Sequence, residues 1–242
     1  MIDHLSLSDR SKYACALRAS ALVENGMKVG LGTGSTAYWL VYHLAERVRN
    51  EGLEFVGVPT SNKTREQAQA EGLKLISMDD AGRLDITIDG ADEFDQSMNL
   101  IKGGGGAHLQ EKIVAFGSDR MVVIADETKK VNKLGKFPLP VEVLKFGNAS
   151  SQKQIEALLI AQNYSDFTVQ MRMEKNKPFI TDEGNYIFDL NLGEIQNPRK
   201  LCIDLNFIPG VVENGLFIDV CKAVVIGYSD GTATISWKDN VV

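Results

Sequence analysis

The chain has 242 residues, 44% of them hydrophobic and 24% charged, enough to bury a full core as one large domain or two small ones. With 26 Lys and Arg against 32 Asp and Glu the net charge is −6, which argues against general binding to nucleic acid or to an anionic membrane. Three distant cysteines (Cys15, Cys202 and Cys221), with no CxxC pair, argue against structural disulfides or a zinc site and fit a reducing cytosol. The start, Met1-Ile2-Asp3-His4, has neither the basic opening nor the apolar run of a signal peptide. No run approaches the roughly 18 apolar residues of a membrane span.

In chain order, Ser8 is placed to cap a helix that runs to about Asn25 and stops at Gly26. Its apolar face is Tyr13, Ala14, Leu17, Ala21 and Leu22. Lys28 to Leu31 reads as a strand. It enters Gly32-Thr33-Gly34-Ser35-Thr36, and a helix follows through Tyr38, Leu40, Val41, Leu44 and Val48. Phe55 to Val58 is the next strand, and Ser61 caps a polar helix that Gly72 ends. Leu73 to Ile76 and Leu84 to Ile88 are further strands, the second stopping at an Asp89-Gly90 turn. A helix is expected from about Ala107 to Phe116, then a fully apolar strand from Met121 to Ala125. Strand and helix alternate throughout, which predicts a parallel sheet covered on both faces.

After Lys136-Phe137-Pro138-Leu139-Pro140 the pattern changes. Pro140 to Phe146 reads as extended, Ile155 to Gln162 as helical, and Phe167 to Met173 as a half-exposed strand. Asp182-Glu183-Gly184-Asn185 sits between two extended runs, Phe179 to Thr181 and Tyr186 to Phe188, as a hairpin signal. Pro198 to Asn206 fits a helix with proline at its first position. These elements predict a small α+β domain. A last hairpin joins Lys222 to Tyr228 with Thr232 to Trp237.

Chemistry is expected around Asp89, Asp92 and Glu93, with Lys102 and the run Gly103 to Gly106 just after them and Glu111 in the helix that follows. Consecutive glycines lose more backbone entropy on folding than other residues, so such a run suits a ligand that touches the main chain. Asp89 and Asp92 could bind a divalent cation or form a solvated acidic turn. Lys102 and the glycine backbone nearby suggest instead that an oxyanion is held. Taken alone, Glu111 and His108 read as helix-surface residues. Gly32 to Thr36 is equally suited to cradling a phosphate at a helix start and to forming a capped tight turn. A dinucleotide fingerprint is incomplete there, because Ser35 stands where its third glycine would fall. Lys129 follows a strand's carboxyl end, the side where α/β sheets bind ligands.

Four motifs together resemble ribose-5-phosphate isomerase of the A type. They are Gly32 to Thr36; Asp89-Gly90-Ala91-Asp92-Glu93; Lys102 to Ala107 with Glu111-Lys112; and Gly135 to Glu142. Ile208 to Phe217 extends the resemblance, which runs over essentially the whole chain. It implies a Rossmann-like α/β/α domain, over 1–132 plus 208–242, with a small ferredoxin-like domain inserted over 133–207. It also implies interconversion of ribose 5-phosphate and ribulose 5-phosphate with no cofactor and no metal, in a cytoplasmic homodimer or homotetramer. Carried over residue by residue, Glu111 matches the general base and Asp89 the group that opens the sugar ring. Asp92 and Lys102 match their catalytic partners. Gly90, Ala91, Gly103, Gly104 and Gly105 match substrate-binding backbone. Thr33, Gly34, Ser35, Thr36 and Lys129 match the phosphate site, and Lys12 falls where a lysine often faces the phosphate. Gln110, where arginine is common, and His108, where a small or apolar residue is usual, depart from the pattern.

The chemistry agrees with this assignment. Aldose–ketose isomerisation needs one base to move a proton between carbons 2 and 1, and donors to hold the enediolate oxygens. Three carboxyls gathered near one lysine are expected to have pKa values pushed apart. Two rivals differ in class. A CoA transferase of related fold would be longer. A non-enzymatic sugar-phosphate sensor would carry an N-terminal helix-turn-helix and lack a base at Glu111.

Overall fold

A computed structural model of the chain describes residues 5–238. Its elements begin with α1 (Leu7–Ser20), β1 (Lys28–Leu31), α2 (Ser35–Glu51), β2 (Val56–Pro59), α3 (Asn62–Ala70) and the single turn α4 (Met78–Ala81). Then come β3 (Ile86–Gly90), β4 (Glu93–Phe94), β5 (Leu100–Ile101), α5 (His108–Phe116), β6 (Met121–Asp126) and a 3₁₀ turn at Glu127–Lys129. Next are β7 (Leu139–Val143), α6 (Asn148–Ala161), β8 (Thr168–Met171), β9 (Met173–Glu174), β10 (Lys177–Pro178), β11 (Tyr186–Asn191) and α7 (Pro198–Asn206). The last are β12 (Val211–Asn214), β13 (Leu216–Phe217), β14 (Cys221–Gly227) and β15 (Ala233–Trp237).

The chain forms two compact units. The first comprises Met1–Ala91, Gln110–Lys130 and Asp219–Val242, and the second Asp92–Leu109 and Val131–Ile218. This division differs in extent from the expected one. Segments 92–109 and 208–218 join the second unit because β4, β5 and β13 form one antiparallel sheet, with Leu216 opposite Ile101 and Glu93 opposite it on the other side.

The first unit is a six-stranded sheet in the order β15-β14-β6-β3-β1-β2, parallel except for the β14–β15 hairpin. Alternation sorts its side chains into two layers. Val29 and Leu31 of β1 join Leu40, Leu44, Cys15 and Ala19 of α2 and α1 in one buried cluster. Gly30, between them, faces Val114 of α5, so helices cover both faces. The expected fold class, α/β with a doubly covered parallel sheet, is what the strands and helices form.

Several elements differ from expectation. Ser6, not Ser8, caps α1 by accepting from the N–H of Asp9. The helix ends at Ser20, where short bonds from Leu22 and Val23 to Ala19 and Ser20 tighten the chain and drop Val23 into the core. Leu73 to Ile76 makes only an isolated bridge, Gly57 with Leu75. β3 continues through Asp89 and Gly90 instead of stopping at Ile88, so Asp89 is a strand residue.

In the second unit β12-β7-β11-β8 form an antiparallel sheet. Phe188, Leu190, Val141 and Val143 pack with Ile155, Leu159, Leu201 and Leu205 of α6 and α7. Register puts Ile187, Asp189 and Glu142 on the opposite face. The expected strand Phe179 to Thr181 is replaced by the short β9–β10 pair and a turn in which Thr181 and Asn185 bond across Asp182-Glu183-Gly184.

Candidate functional site

The strand order reverses direction at β1. The chain leaves β1 through α2 for β2 on one side, while β3 and β6 follow on the other. Loops departing from such a point open a crevice at the carboxyl ends of the strands. At that edge the Gly32 N–H donates to Ile88 O at 3.0 Å, and the Thr33 N–H donates to Asp89 Oδ1, also at 3.0 Å. Asp89 is fully buried, and its Oδ1 also accepts from the Gly90 N–H at 2.7 Å. Only glycine fits at position 32, since a Cβ there would lie 2.1 Å from Asp89 Oδ1 and 2.5 Å from its Cα.

The loop is fixed on its other side by hydroxyls. Thr33 Oγ1 lies 2.8 Å from both Thr60 Oγ1 and Ser61 Oγ and 3.1 Å from Thr64 Oγ1. Thr33 therefore braces the loop. Gly34, at φ 109°, occupies the N-cap position of α2 and offers no side-chain cap. Gly34 and Ser35, at the positive end of the helix dipole, line a cleft of about 340 Å³ together with Asp9, Tyr38, Lys63 and Thr64. Lys63 was not singled out in the sequence; it opens α3 beside the loop. Lys12 lies in α1, 3.9 Å from Asp9, and Lys129 in the 3₁₀ turn after β6.

Glu111 lies in the first turn of α5 and is 4% exposed, so it is not the surface residue its local sequence suggested. Its position follows from its helix. The C-terminal end of α5 is tied to the start of the β3 segment, where the Leu84 N–H donates to Gly117 O and Leu84 bridges Ser118. Val114, one turn after Glu111, touches Thr87 of β3. α5 therefore runs antiparallel to β3 and carries Glu111 toward the edge that holds Asp89.

The remaining candidates belong to the second unit. Asp92 Oδ2 accepts from the Gly104 N–H at 2.7 Å. Lys102 is 2% exposed, donates its backbone N–H to Gly215 O at 2.9 Å, and sets its ammonium 5.5 Å from the Phe217 ring centroid. Gly103 and Gly106 have φ of 107° and 78°. A Cβ at Gly103 would meet His108, and one at Gly106 would meet Phe179 at 2.4 Å, while Gly104 and Gly105 stay exposed. The guanidinium of Arg172 donates to Gly103 O at 2.7 Å and Gly104 O at 3.3 Å.

His108 is fully buried, a correction to the surface position expected for it. Its Nε2 lies 3.4 Å from Glu213 O and 4.0 Å from Glu142 Oε2. Burial pushes the Glu142 carboxyl above the usual carboxylate range, against the opposing effect of donors Asn185 and Thr181 at 2.9 and 2.8 Å. Glu93 accepts from the N–H groups of Gly135 and Phe137 and is thereby structural. Among the described residues no cluster of three or more His, Cys, Asp or Glu is arranged to hold a metal ion.

These features define an α/β protein with a glycine turn opening a helix, and buried carboxylates, at the carboxyl edge of a parallel sheet. The family model for ribose 5-phosphate isomerase A (phosphoriboisomerase A) matches residues 56–231. A ribose-5-phosphate isomerase A from Ruegeria sp. (strain TM1040) is 57% identical over 97% of this chain and 90% of its own length. The ribose 5-phosphate isomerase of Plasmodium falciparum superposes with a TM-score of 0.90 at 36% identity, over 96% of this chain and 99% of that one. A D-ribose-5-phosphate isomerase in complex with phospho-erythronic acid gives 0.86 at 36% identity, over 93% and 97%. The chain belongs to the ribose 5-phosphate isomerase A family, and is by that membership an isomerase.

Proposed function

We propose that the chain interconverts ribose 5-phosphate and ribulose 5-phosphate through an enediolate, with Glu111 as the general base. The reading rests above all on Glu111, a buried carboxyl in the first turn of a helix whose N-terminus points to the Asp89 edge. A carboxylate so placed can take a proton from a carbon acid and return the same proton to the neighbouring carbon. Asp89, held on one oxygen by the Thr33 and Gly90 amides, acts in opening and closing the furanose ring. Lys102 and the amides of Gly103 and Gly105 stabilise the enediolate oxygens, and Asp92 orients that loop by accepting from the Gly104 N–H. Gly34, Ser35 and Thr36 with Lys129 hold the phosphate, Thr33 shapes their loop, and Gly90 and Ala91 line the sugar.

Support comes from the relatives' names and from the ligand of one of them, phospho-erythronic acid. That molecule joins a phosphate to a planar carboxylate, the shape of an enediolate end. The reading includes action without a cofactor, as a homodimer or homotetramer in the cytoplasm. The test is formation of ketopentose from ribose 5-phosphate by the purified protein, with Glu111→Gln beside it. Glu111→Gln is expected to lower kcat by about 10²–10⁴-fold while the fold is kept. Absence of turnover by the parent chain, or full turnover by Glu111→Gln, would refute the assignment.

A further inference from the structure

The glycine run from Gly103 to Gly106 has no side chains to choose its conformation, yet the proposed chemistry needs its amides aimed at one place. Arg172 lies between β8 and β9, its N–H donating to Ile187 O at 2.8 Å and its carbonyl accepting from the Phe179 N–H at 2.9 Å. Its guanidinium is bound on two sides. Nε donates to Asp189 Oδ2 at 2.9 Å and Nη2 to Asp189 Oδ1 at 2.5 Å, a two-pronged pair. The remaining Nη1 reaches both Gly103 O and Gly104 O. Asp189 stands on the face of the β11 strand turned away from the α6–α7 core, beside Ile187, which lies 3.6 Å from where a Gly106 Cβ would be. The Phe179 ring lies against Gly106 and 5.8 Å from the guanidinium.

We infer that Arg172, oriented by Asp189, is a positioning residue that sets the glycine loop as an enediolate-binding nest; this rests on the isomerase reading above. A trans peptide is planar, so its C=O and N–H point in opposite directions. Holding Gly103 O turns the Gly104 N–H toward Asp92, where it is found at 2.7 Å. Holding Gly104 O likewise turns the Gly105 N–H away from the guanidinium, and Gly105 itself is exposed. A cation on both carbonyls also polarises the two peptides, which strengthens the Gly104 N–H toward Asp92 and makes the Gly105 N–H a stronger donor to a developing oxyanion. Lysine cannot replace the fork, because it offers a point charge where Arg172 offers fixed, separately aimed donors.

The experiment compares the parent chain with Arg172→Met, Arg172→Lys and Asp189→Asn. For each, kcat and KM on ribose 5-phosphate are measured, with calorimetric affinity for phospho-erythronic acid and for inorganic phosphate. Arg172→Met is expected to lose about 10–100-fold in kcat, as removal of an orienting partner does, with KM nearly unchanged. Affinity for phospho-erythronic acid is expected to fall by a similar factor, because its carboxylate reads the loop, and affinity for inorganic phosphate by less than about twofold. Arg172→Lys and Asp189→Asn, which keep the charge or the guanidinium, are expected to fall between parent and Arg172→Met. Equal loss of both ligands in all three variants would reduce Arg172 to a fold-stabilising residue, and unchanged kcat and affinities would remove it from the site. The affinity arms compare variant with parent, so a parent that fails to isomerise overturns the proposed function and leaves the loop test readable.

Discussion

Asp89 and Glu111 are both buried carboxyls, and the proposal gives them different tasks. Ribulose 5-phosphate cannot close to a furanose, because its 5-hydroxyl carries the phosphate. Exchange of its carbon-1 proton with solvent therefore needs the base alone. Asp89→Asn is expected to fail on the closed sugar yet keep far more carbon-1 exchange than Glu111→Gln, read as deuterium wash-in from heavy water followed by NMR. Equal loss of exchange in the two variants would end this division of labour. The types and spacing of these residues were legible in the sequence only as a set, since each motif taken alone also fitted an acidic turn, a capped turn or a helix surface. Burial was not. His108 and Glu111 looked like surface residues because a helix of nine residues gives no sign of which flank meets a sheet. Arg172 carried no signal at all, because its partners, Gly103, Gly104 and Asp189, are distant in sequence and meet it only through strand pairing.

At the scale of elements, the candidate residues of the first unit are strand ends and helix starts, and their placement depends on how closely those ends approach. At the candidate residues β1 approaches β3 closely at Gly32, where any Cβ collides with the Asp89 carboxylate and with its main chain. Gly32→Ala forces the strand ends apart or turns the carboxylate out of its bonds from Thr33 and Gly90. It is expected to cost about 1–3 kcal/mol of stability, the usual range for overpacking, and to lower kcat as Asp89→Asn does. Denaturant unfolding and steady-state kinetics check it together; parent-like values in both would show that the contact is slack. Periodicity foretold the long elements because strand β6 and helix α2 each carry their pattern over enough residues to be read. It failed for Leu73 to Ile76, which has a strand's composition but finds only one bridging partner, Gly57 of β2. It also missed β4, β5 and β13, pairs of residues too short to show a period.

For the molecule as a whole, the alternation of strand and helix foretold an α/β protein with a parallel sheet, and it carries no mark of the limits of the units. Those depend on β5 pairing with β13 across most of the second half of the chain, an arrangement no local pattern encodes. Global stability also carries a pH dependence set by groups other than the candidate carboxylates. His43 of α2 is 3% exposed in an aromatic cluster, its ring 4.3 Å from Tyr13 and 5.4 Å from Tyr42. Its Nε2 has no hydrogen-bond partner among the described residues. Burial pulls its pKa down to about 4 from 6.5, against weaker opposing effects of the Tyr13 backbone and Glu46. The sign follows from linkage. Between pH 6.5 and 4 the unfolded chain binds a proton that the folded chain refuses, so stability falls as pH drops through that window and is flat above it. Glu142 acts in the opposite sense, since a raised carboxyl pKa lets the folded chain hold a proton that the unfolded chain has lost. Replacing the imidazole isolates its share. His43→Phe keeps a ring in the cluster and removes the titration, so its stability loss between pH 7.5 and 4.5 is expected to be about 2–3 kcal/mol smaller than the parent's. Urea unfolding of both proteins across this range provides the measurement. Parallel pH profiles would mean that the folded chain accepts the proton on His43 at an ordinary pH, and that the cluster opens to admit it.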